Sequence, residues 1–409
     1  MNTGVDILQQ VIPEPLCTTA GAWLSEALQP ATTPAYHYHQ GLISQQTQQL
    51  LTQLPAGIDV HYAIKANPHP QVLQTLAPLV AGFDCASLAE MQAARAVAQP
   101  EQHLSIAGPA KSDEELAYAI NHQVVINCES RGELERIIQL AKTVNRIASV
   151  ALRVNPPFGF KGAGMQMGGG PKPFGIDSEQ IPTLIQQYRD HPQLHLTGFH
   201  LFAGSQQLNP DLIAQVWQAS LDLVAEWQRT LNFNPEKIVL GAGLGVAYHP
   251  KEQPLDLSAL TPAFKAIREW QAAHNQPRIA LESGRYLLAS AGVYRTRIVD
   301  IKQSRGQRFV LCDGGMHQHL ALSGNLGGVL RRNWPIVVPE LFNQPHDTPM
   351  QVHGPLCTPL DVLGKDQPLP AGLEPGMHLV VLQSGAYGAT ASPQQFLSRP
   401  ALQEFIHHR

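Results

Sequence analysis

Residues 82–133, GFDCASLAEMQAARAVAQPEQHLSIAGPAKSDEELAYAINHQVVINCESRGE, contain the pattern that decides the fold. Three short strand-like runs, at 82–86, 104–107 and 124–128, alternate with stretches of helical character. Each helical stretch is preceded by a Ser-x-x-Glu capping signature, which marks a helix N-terminus. These signatures are Ser87 with Glu90, Ser112 with Glu115, and Ser130 with Glu133. Strands that alternate with helices predict a parallel sheet.

The same alternation extends in both directions along the chain. It gives eight strand candidates, at 60–65, 82–86, 104–107, 124–128, 150–154, 196–201, 238–240 and 279–281. Eight strand-helix units favour a closed (β/α)8 barrel of the TIM type over a six-stranded doubly wound sheet, although the count alone leaves both open. We therefore assign the α/β class and place the barrel at 44–277.

A second domain is indicated after about residue 285. There the sequence changes to β-like runs punctuated by Pro and Gly, at 292–301, 307–312, 335–338 and 378–382. They predict a C-terminal β-barrel-like or β-sandwich domain, to which 34–38 is expected to add a strand. This β domain is therefore predicted to be discontinuous, at 1–43 and 278–409. The glycine-rich segment 158–177 predicts a loop over the barrel mouth.

Composition excludes several classes of protein. With 44% hydrophobic and 15% charged residues, the chain is expected to be globular rather than disordered. A net charge of -4 offers no basic field for nucleic acid or a membrane surface, so a small-molecule ligand is expected. The absence of a signal-like start and of a long apolar run predicts a cytoplasmic protein. The five scattered cysteines and the dispersed histidines predict neither disulfides nor a metal site.

Candidate chemistry lies where barrel strands end, since barrels place functional residues at the C-terminal ends of strands. Lys65 ends the first strand, and partial desolvation there lowers the pKa of an amine and suits Schiff-base formation. Glycines at 241–245 follow the seventh strand and allow close approach of an anion such as phosphate. Glu282 follows the eighth strand, and a carboxylate beside a pyridine ring keeps its nitrogen protonated. Taken alone, the lysine also fits an ordinary solvated residue at the barrel rim, and the glycines also fit a plain tight turn.

Together with other motifs, these residues identify a family. The chain resembles, over nearly its whole length, the diaminopimelate, ornithine and arginine decarboxylases of the alanine-racemase-like barrel fold, which use pyridoxal phosphate. The matching motifs occur in order: YAIKAN at 62–67, DCAS at 84–87 with Glu90, RVNP at 153–156, His200 with Gly204 and Ser205, GAGLG at 241–245, ESGR at 282–285, GPLC at 354–357 with Asp361, and GAY at 385–387.

The resemblance implies roles for these positions. Lys65 is expected to form the Schiff base, His200 to stack on the cofactor ring, and Glu282 to meet the ring nitrogen. Cys357 is expected to reach across a homodimer interface and act near Cα of the substrate. The remaining cofactor-binding residues implied by the resemblance are Asp84 and Arg153 near the ring and, around the phosphate, Ser205, Gly243, Gly245, Gly284, Arg285 and Tyr387. The implied reaction is amino-acid decarboxylation in active sites shared between two subunits.

The residue after Cys357 carries the substrate signal. Diaminopimelate enzymes of the family place Glu there and ornithine enzymes place Asp, whereas this chain has Thr358. An uncharged hydroxyl offsets the desolvation of a distal ammonium poorly, which disfavours diamino acids. The segments 161–170 and 354–361 are similar to a narrower branch, which includes the butirosin-type L-glutamyl-[acyl-carrier protein] decarboxylase and enzymes associated with exopolysaccharide export or siderophores.

The predicted function is thus α-decarboxylation of an amino acid or of a conjugate, free or tethered to a carrier protein, in amino-acid or secondary-metabolite biosynthesis. The candidate substrate-binding residues are Thr358, Asp361, Lys161 and Lys172. The main alternative is diaminopimelate decarboxylation in lysine biosynthesis. A racemase is disfavoured by Glu282, which makes the ring a strong electron sink, and a non-catalytic pyridoxal-phosphate-binding protein of the single-barrel type is disfavoured by the C-terminal domain.

Overall fold

The structure is a computed structural model that describes residues 2–14, 16–26, 32–159, 165–166, 168–324 and 332–408. The chain divides into two compact units. The barrel unit comprises Thr47–Gly245 and Asp256–Gly284, and the β unit comprises Met1–Gln46, Val246–Leu255 and Arg285–Arg409.

The barrel unit is built on eight parallel strands. These are β1 (Ile58–Ala63), β2 (Gly82–Cys85), β3 (His103–Ile106), β4 (Val125–Cys128), β5 (Ala148–Asn155), β6 (Leu194–Leu201), β7 (Lys237–Gly241) and β8 (Arg278–Ser283). Each strand pairs in parallel with the next, and β8 pairs with β1, which closes the barrel. All eight predicted strands are confirmed, with ends that shift by a few residues.

Helices follow the strands in the expected alternation. The helices after the first seven strands span Pro70–Leu76, Leu88–Val97, Asp113–Asn121, Arg131–Thr143, Ile181–Tyr188, Pro210–Leu231 and Thr261–Ala273. A further helix, Gln40–Gln53, precedes β1 and crosses the division between the units. The strands are buried over most of their length, as expected for a parallel sheet covered on both faces. In the part of the chain that the structure describes, no helix has the length and apolar character needed to cross a bilayer.

The three predicted helix starts are confirmed, but only one is a reciprocal capping box. Ser112 accepts a hydrogen bond from the amide of Glu115, whose carboxylate accepts from the amide of Ser112. At the other two starts the serine cap forms, but the glutamate reaches one residue further back. Glu90 accepts from Ala86, and Glu133 accepts from Glu129.

Parts of the glycine-rich segment 158–177 lie at the C-terminal edge of the barrel. Met165–Gln166 pairs with Gly204–Ser205, which follows β6, and Ile176–Asp177 pairs with the end of β5. These described parts contain no helix, in agreement with the prediction. Residues 160–164 and 167 lie outside the described residues.

The β unit contains an eight-stranded mixed sheet. Its strands are Ala35–His39, Gly292–Ser304, Gln307–Cys312, Ile336–Val337, Thr348–His353, Val362–Leu369, His378–Val381 and Gln403–His407. The predicted strand near 34–38 is confirmed and pairs with Gly292–Ser304. Sequence reasoning missed three of these strands and the helices Gly4–Val11, Leu16–Glu26 and Arg285–Leu288.

The predicted boundary at 277/278 differs from the structural division. A cut there would remove Arg278–Ser283 from the barrel, although this strand closes it by pairing with β1 and β7. The division falls instead between Gly284 and Arg285, and Val246–Leu255 belongs to the β unit. The boundary therefore follows strand pairing rather than the change in sequence texture.

Candidate active site

Lys65 lies two residues beyond the end of β1. The chain leaves the strand through a 3-10 turn, Ile64–Ala66, which is fixed by a hydrogen bond of 2.8 Å from the Tyr62 hydroxyl to the carbonyl of Asn67. The Lys65 amine lies 3.4 Å from a carboxylate oxygen of Glu282 and 3.8 Å from one of Asp84. It also lies 5.4 Å from the centre of the Phe202 ring. The ends of three strands thus bring an amine and two carboxylates together.

Glu282 is a buried and ionised carboxylate. Burial opposes its ionisation, but the positive charge of Lys65 and a hydrogen bond from His200 outweigh burial, so the pKa of Glu282 lies below its usual value. Asp84 behaves in the opposite way, because burial and the neighbouring charge of Glu282 raise its pKa well above the usual value. The pKa values of the two carboxyl groups are therefore shifted in opposite directions, and Glu282 is the one that stays charged.

His200 is neutral and orients toward Glu282. Burial lowers the pKa of its imidazole, and the favourable interaction with Glu282 only partly offsets this effect. Its Nε2 lies 2.8 Å from Glu282, so Nε2 carries the ring proton and donates a hydrogen bond to the carboxylate. Nδ1 of the same ring is buried and has no hydrogen-bond partner among the described residues.

Glu129, which sequence reasoning missed, is the partner of the predicted site residue Arg153. Its carboxylate accepts hydrogen bonds from Arg153 at 2.6 Å and from the amides of Gly108 and Gly175 at 2.6 and 3.1 Å. The Arg153 guanidinium lies 5.3 Å from the centre of the Phe174 ring. Glu129 directly follows β4, so the rule that placed Lys65 at a strand end also points to this residue.

We expect Glu129→Gln to weaken cofactor binding by about tenfold, because an amide leaves the buried Arg153 cation without its charged partner. The measurement is the Kd of pyridoxal phosphate by titration of the apoenzyme. The matched control is Glu135→Gln on the exposed face of the next helix. A Kd that stays at the control value while only the melting temperature falls would reduce Glu129 to a structural residue.

Glycines shape a backbone cradle after β6, β7 and β8. Gly243 has a φ of 71°, which favours glycine, and a Cβ at Gly245 would lie 2.9 Å from backbone atoms of Gln206 and Gln207. A Cβ at Gly284 would lie 3.0 Å from the carbonyl oxygen of Ala63. Ser205 directly precedes Gln206 and Gln207, the residues whose backbone lies close to Gly245, and it is half-buried. Close backbone approach of this kind suits binding of a phosphate group by amides.

The β unit holds several further predicted site residues, among them Arg285 and Tyr387. Arg285 donates a hydrogen bond of 2.7 Å to the Tyr248 hydroxyl, and its guanidinium lies 4.6 Å from the centre of the Tyr387 ring. Tyr248, which sequence reasoning missed, thus orients the arginine together with Tyr387. The Nε atom of Arg285 is buried without a hydrogen-bond partner among the described residues.

Cys357 is the exposed cysteine of the protein, whereas Cys17, Cys85, Cys128 and Cys312 are buried. Its loop is held by Asp361, whose carboxylate accepts hydrogen bonds from the amides of Met316 and Leu356 at 2.6 and 2.8 Å. Asp361 is itself 1% exposed, so the structure shows it shaping the loop, and its predicted contact with substrate stays a prediction. Thr358 is half-buried.

The structure describes only one of the two predicted lysines of the glycine-rich segment. Lys172 is half-buried, and Lys161 lies outside the described residues. The structure therefore gives no contact that tests either as a substrate ligand, and both stay predictions.

Comparisons with known proteins agree with this geometry. The family model described as "Pyridoxal-dependent decarboxylase, pyridoxal binding domain" matches residues 40–289. The chain is 35% identical over 383 residues to the L-glutamyl-[BtrI acyl-carrier protein] decarboxylase of Niallia circulans, covering 91% of this chain and 88% of that protein. It is 30% identical over 395 residues to the 2-[(L-alanin-3-ylcarbamoyl)methyl]-2-hydroxybutanedioate decarboxylase of Staphylococcus aureus, covering 93% and 96%.

Solved structures show the same fold. The diaminopimelate decarboxylase of Helicobacter pylori in complex with L-lysine matches with a TM-score of 0.81 at 28% identity, covering 93% of each chain. The chain therefore belongs to the family of pyridoxal-dependent decarboxylases. It is a carboxy-lyase that uses pyridoxal phosphate and acts on amino acids.

Proposed function

We propose that this decarboxylase removes the α-carboxylate from an amino acid that is part of a larger molecule. The group is an L-glutamyl-type residue on an acyl carrier protein or an amino acid amide-linked to a hydroxy dicarboxylic acid. The observation that carries the proposal is Thr358 beside the exposed Cys357, where a diamino acid enzyme of the family has a carboxylate. The substrates named for the two relatives above support the same class.

The proposal assigns the cofactor to the C-terminal edge of the barrel. The unpartnered buried Nδ1 of His200, the ionised Glu282 and the glycine cradle fit a ring with a basic nitrogen and a phosphate. The remaining assigned contacts are Asp84 and Arg153 near the ring, and Ser205, Gly243, Gly245, Gly284, Arg285 and Tyr387 toward the phosphate. Pyridoxal phosphate supplies a conjugated ring that accepts the electron pair left when CO2 departs.

The chain's own residues have separate roles in the proposed reaction. Lys65 would hold the cofactor covalently through Nζ and would take it back when product leaves. Glu282 would favour a proton on the ring nitrogen, because an ionised carboxylate in a buried site stabilises a cation beside it. His200 would pack against the ring. Cys357 delivers the proton to Cα that completes the product.

The proposal is tested by following CO2 loss by mass spectrometry across three groups of substrates. They are free diamino acids, glutamate tethered to a carrier, and amino acids linked to a hydroxy dicarboxylic acid. The expected result is the highest kcat/KM for a tethered or linked substrate. A higher kcat/KM for free diaminopimelate, ornithine or lysine would restore the lysine-biosynthesis alternative.

We expect Thr358→Glu to raise kcat/KM for diaminopimelate by about one to two decades and to lower it for the native substrate. A charge-assisted hydrogen bond to a distal ammonium contributes roughly 1.5–3 kcal/mol, and about 1.36 kcal/mol corresponds to tenfold. Thr358→Ser, which keeps the hydroxyl, is the control and should leave the preference unchanged. If Thr358→Glu lowers both activities equally, position 358 does not discriminate between substrates.

A further inference from the structure

The β unit contains a cavity that the assignments above do not use. It has a volume of about 370 Å³ and is lined by Arg297 and by parts of the segments 32–34, 313–318 and 399–403. All of these residues belong to the β unit. Its wall therefore combines the N-terminal region, the C-terminal region and the loop that precedes the helical turn at Leu320–Ser323.

The cavity carries an excess of positive charge. Its ionisable lining consists of two guanidinium groups, one carboxylate and the His317 imidazole. The carboxylate, on Asp313, accepts hydrogen bonds from Thr33, Thr296 and the backbone amide of Arg297. Nε of Arg297 lies 3.6 Å from Asp313. Arg399, by contrast, donates to the carbonyl of Pro355 at 2.6 Å and pairs with no carboxylate among the described residues.

His317 supplies a buried hydrogen-bonding atom on the same wall. The residue is 1% exposed, and its Nδ1 has no hydrogen-bond partner in the described part of the chain. Burial lowers the pKa of the ring, Asp361 raises it and Arg399 lowers it, so the ring is neutral near pH 7. Buried polar atoms are nearly always partnered in folded proteins, so an unpartnered imidazole nitrogen on a residue that lines the cavity is what a ligand-binding position would leave.

Hydrogen bonds connect this wall to the loop of Cys357. Arg399 binds the carbonyl of Pro355, two residues before the thiol. The residue before His317, Met316, donates its amide to Asp361, and the second oxygen of that carboxylate accepts from Leu356. The cavity wall and the loop of Cys357 are therefore joined by hydrogen bonds within the β unit.

We propose that this cavity is an oxyanion subsite, in which Arg297, Arg399 and His317 bind a carboxylate or phosphate on the part of the substrate remote from the reacting amino acid. The inference rests on the proposed function, because only a conjugate has such a remote part. Guanidinium groups bind both oxyanions through charge-assisted hydrogen bonds. The anion comes either from the linked dicarboxylic acid or from the phosphate ester of a carrier's arm.

The kinetic test compares substrates with and without the remote anion on the holoenzyme. For Arg399→Gln and His317→Phe, KM for the anionic conjugate is expected to rise about tenfold, the effect of one charge-assisted hydrogen bond. Any change in kcat that arises from the Cys357 loop is expected to be the same for the anionic conjugate and for a neutral analogue. The same variants should leave the KM of an analogue with a neutral amide at that position unchanged. Arg308→Gln is the matched control, since Arg308 also donates to backbone carbonyls but does not line the cavity.

Two pairs of substrates distinguish the sources of the anion. The dicarboxylic conjugate is compared with its diamide, and a phosphopantetheine thioester of the amino acid is compared with the dephosphorylated pantetheine thioester. The pair in which removing the anion weakens wild-type binding, but not that of Arg399→Gln, identifies the source. If neither pair responds, or if the variants lose equal activity on charged and neutral substrates, the subsite is refuted.

A direct binding experiment separates this inference from the proposed function. Binding of succinate and of inorganic phosphate to the holoenzyme is measured by calorimetry in the wild type, Arg399→Gln and Arg308→Gln. Binding that Arg399→Gln alone loses supports the subsite even if free diaminopimelate proves the best substrate. Equal binding, or no binding, in all three proteins refutes the subsite and leaves the proposed function intact.

Discussion

Lys65→Ala is expected to have no measurable turnover and no covalently bound cofactor. The amine lies 3.4 Å from Glu282 and 3.8 Å from Asp84, at the end of the barrel where the glycine cradle lies. Without it, neither attachment of the cofactor nor release of product by the enzyme has a nucleophile. The measurement is borohydride reduction of the enzyme with its cofactor, followed by peptide mass spectrometry and an assay for CO2.

Lys111 and Lys237 also carry buried amines, so the test must show that the cofactor is attached to Lys65 and not to them. Lys111 follows β3, but its amine is engaged by the carbonyls of Gly108 and Asn127 and by Glu133. Lys237 has its pKa lowered to about 7, chiefly by burial and also by Arg278, although Asp59 raises it. Lys237, however, begins β7 and so lies at the opposite end of the barrel from Lys65. Reduced cofactor on either lysine in the wild type would contradict the assignment.

The control for this variant is Lys265→Ala. Lys265 is an exposed residue whose amine lies 3.7 Å from Glu269 one helical turn away. An exposed ion pair of this type contributes little to stability, so the variant should keep its activity and its covalent cofactor. A similar loss in both lysine variants would indicate general damage to the protein rather than loss of the attachment point.

The barrel was predictable because its signals are local. Each strand is a short apolar run, and three of the following helices begin at a serine that accepts a hydrogen bond from an amide three residues later. The β unit was less predictable because its pairing is distant in sequence. Gln403–His407 has no strong alternation, and its pairing with Ala35–His39 depends on the chain ends meeting.

The candidate site was predictable where side chains lie at or just beyond the C-terminal ends of strands. Lys65, Asp84, His200 and Glu282 were predicted to cluster, and the structure brings them together. Tyr248 had no such signal, since it lies in Val246–Leu255, an excursion from the barrel unit into the β unit. A lowered amine pKa alone would have favoured Lys237 as the attachment point. The position of the lysine at the C-terminal end of its strand, not its desolvation, therefore identifies Lys65.

Mixing Lys65→Ala with Cys357→Ala subunits is expected to restore activity that each variant lacks. We propose that Cys357 completes the active site of a second copy in a homodimer. Its loop carries an exposed thiol and, three residues later, Leu360, which is 54% exposed. Asp361 holds this loop in place. An exposed, fixed loop with an apolar side chain suits a contact with another copy.

In a mixed dimer, one site combines the intact Lys65 of one subunit with the intact Cys357 of the other. Random exchange of equal amounts makes half of the dimers mixed, each with one intact site, so about a quarter of wild-type activity should return. Lys65→Ala mixed with Glu282→Ala is the control, because both changes lie in the barrel unit and no intact site can form. A thiol acting within its own subunit gives no rescue in either mixture, even when subunit exchange is demonstrated. Rescue confined to the first mixture therefore identifies Cys357 as a residue supplied by the partner.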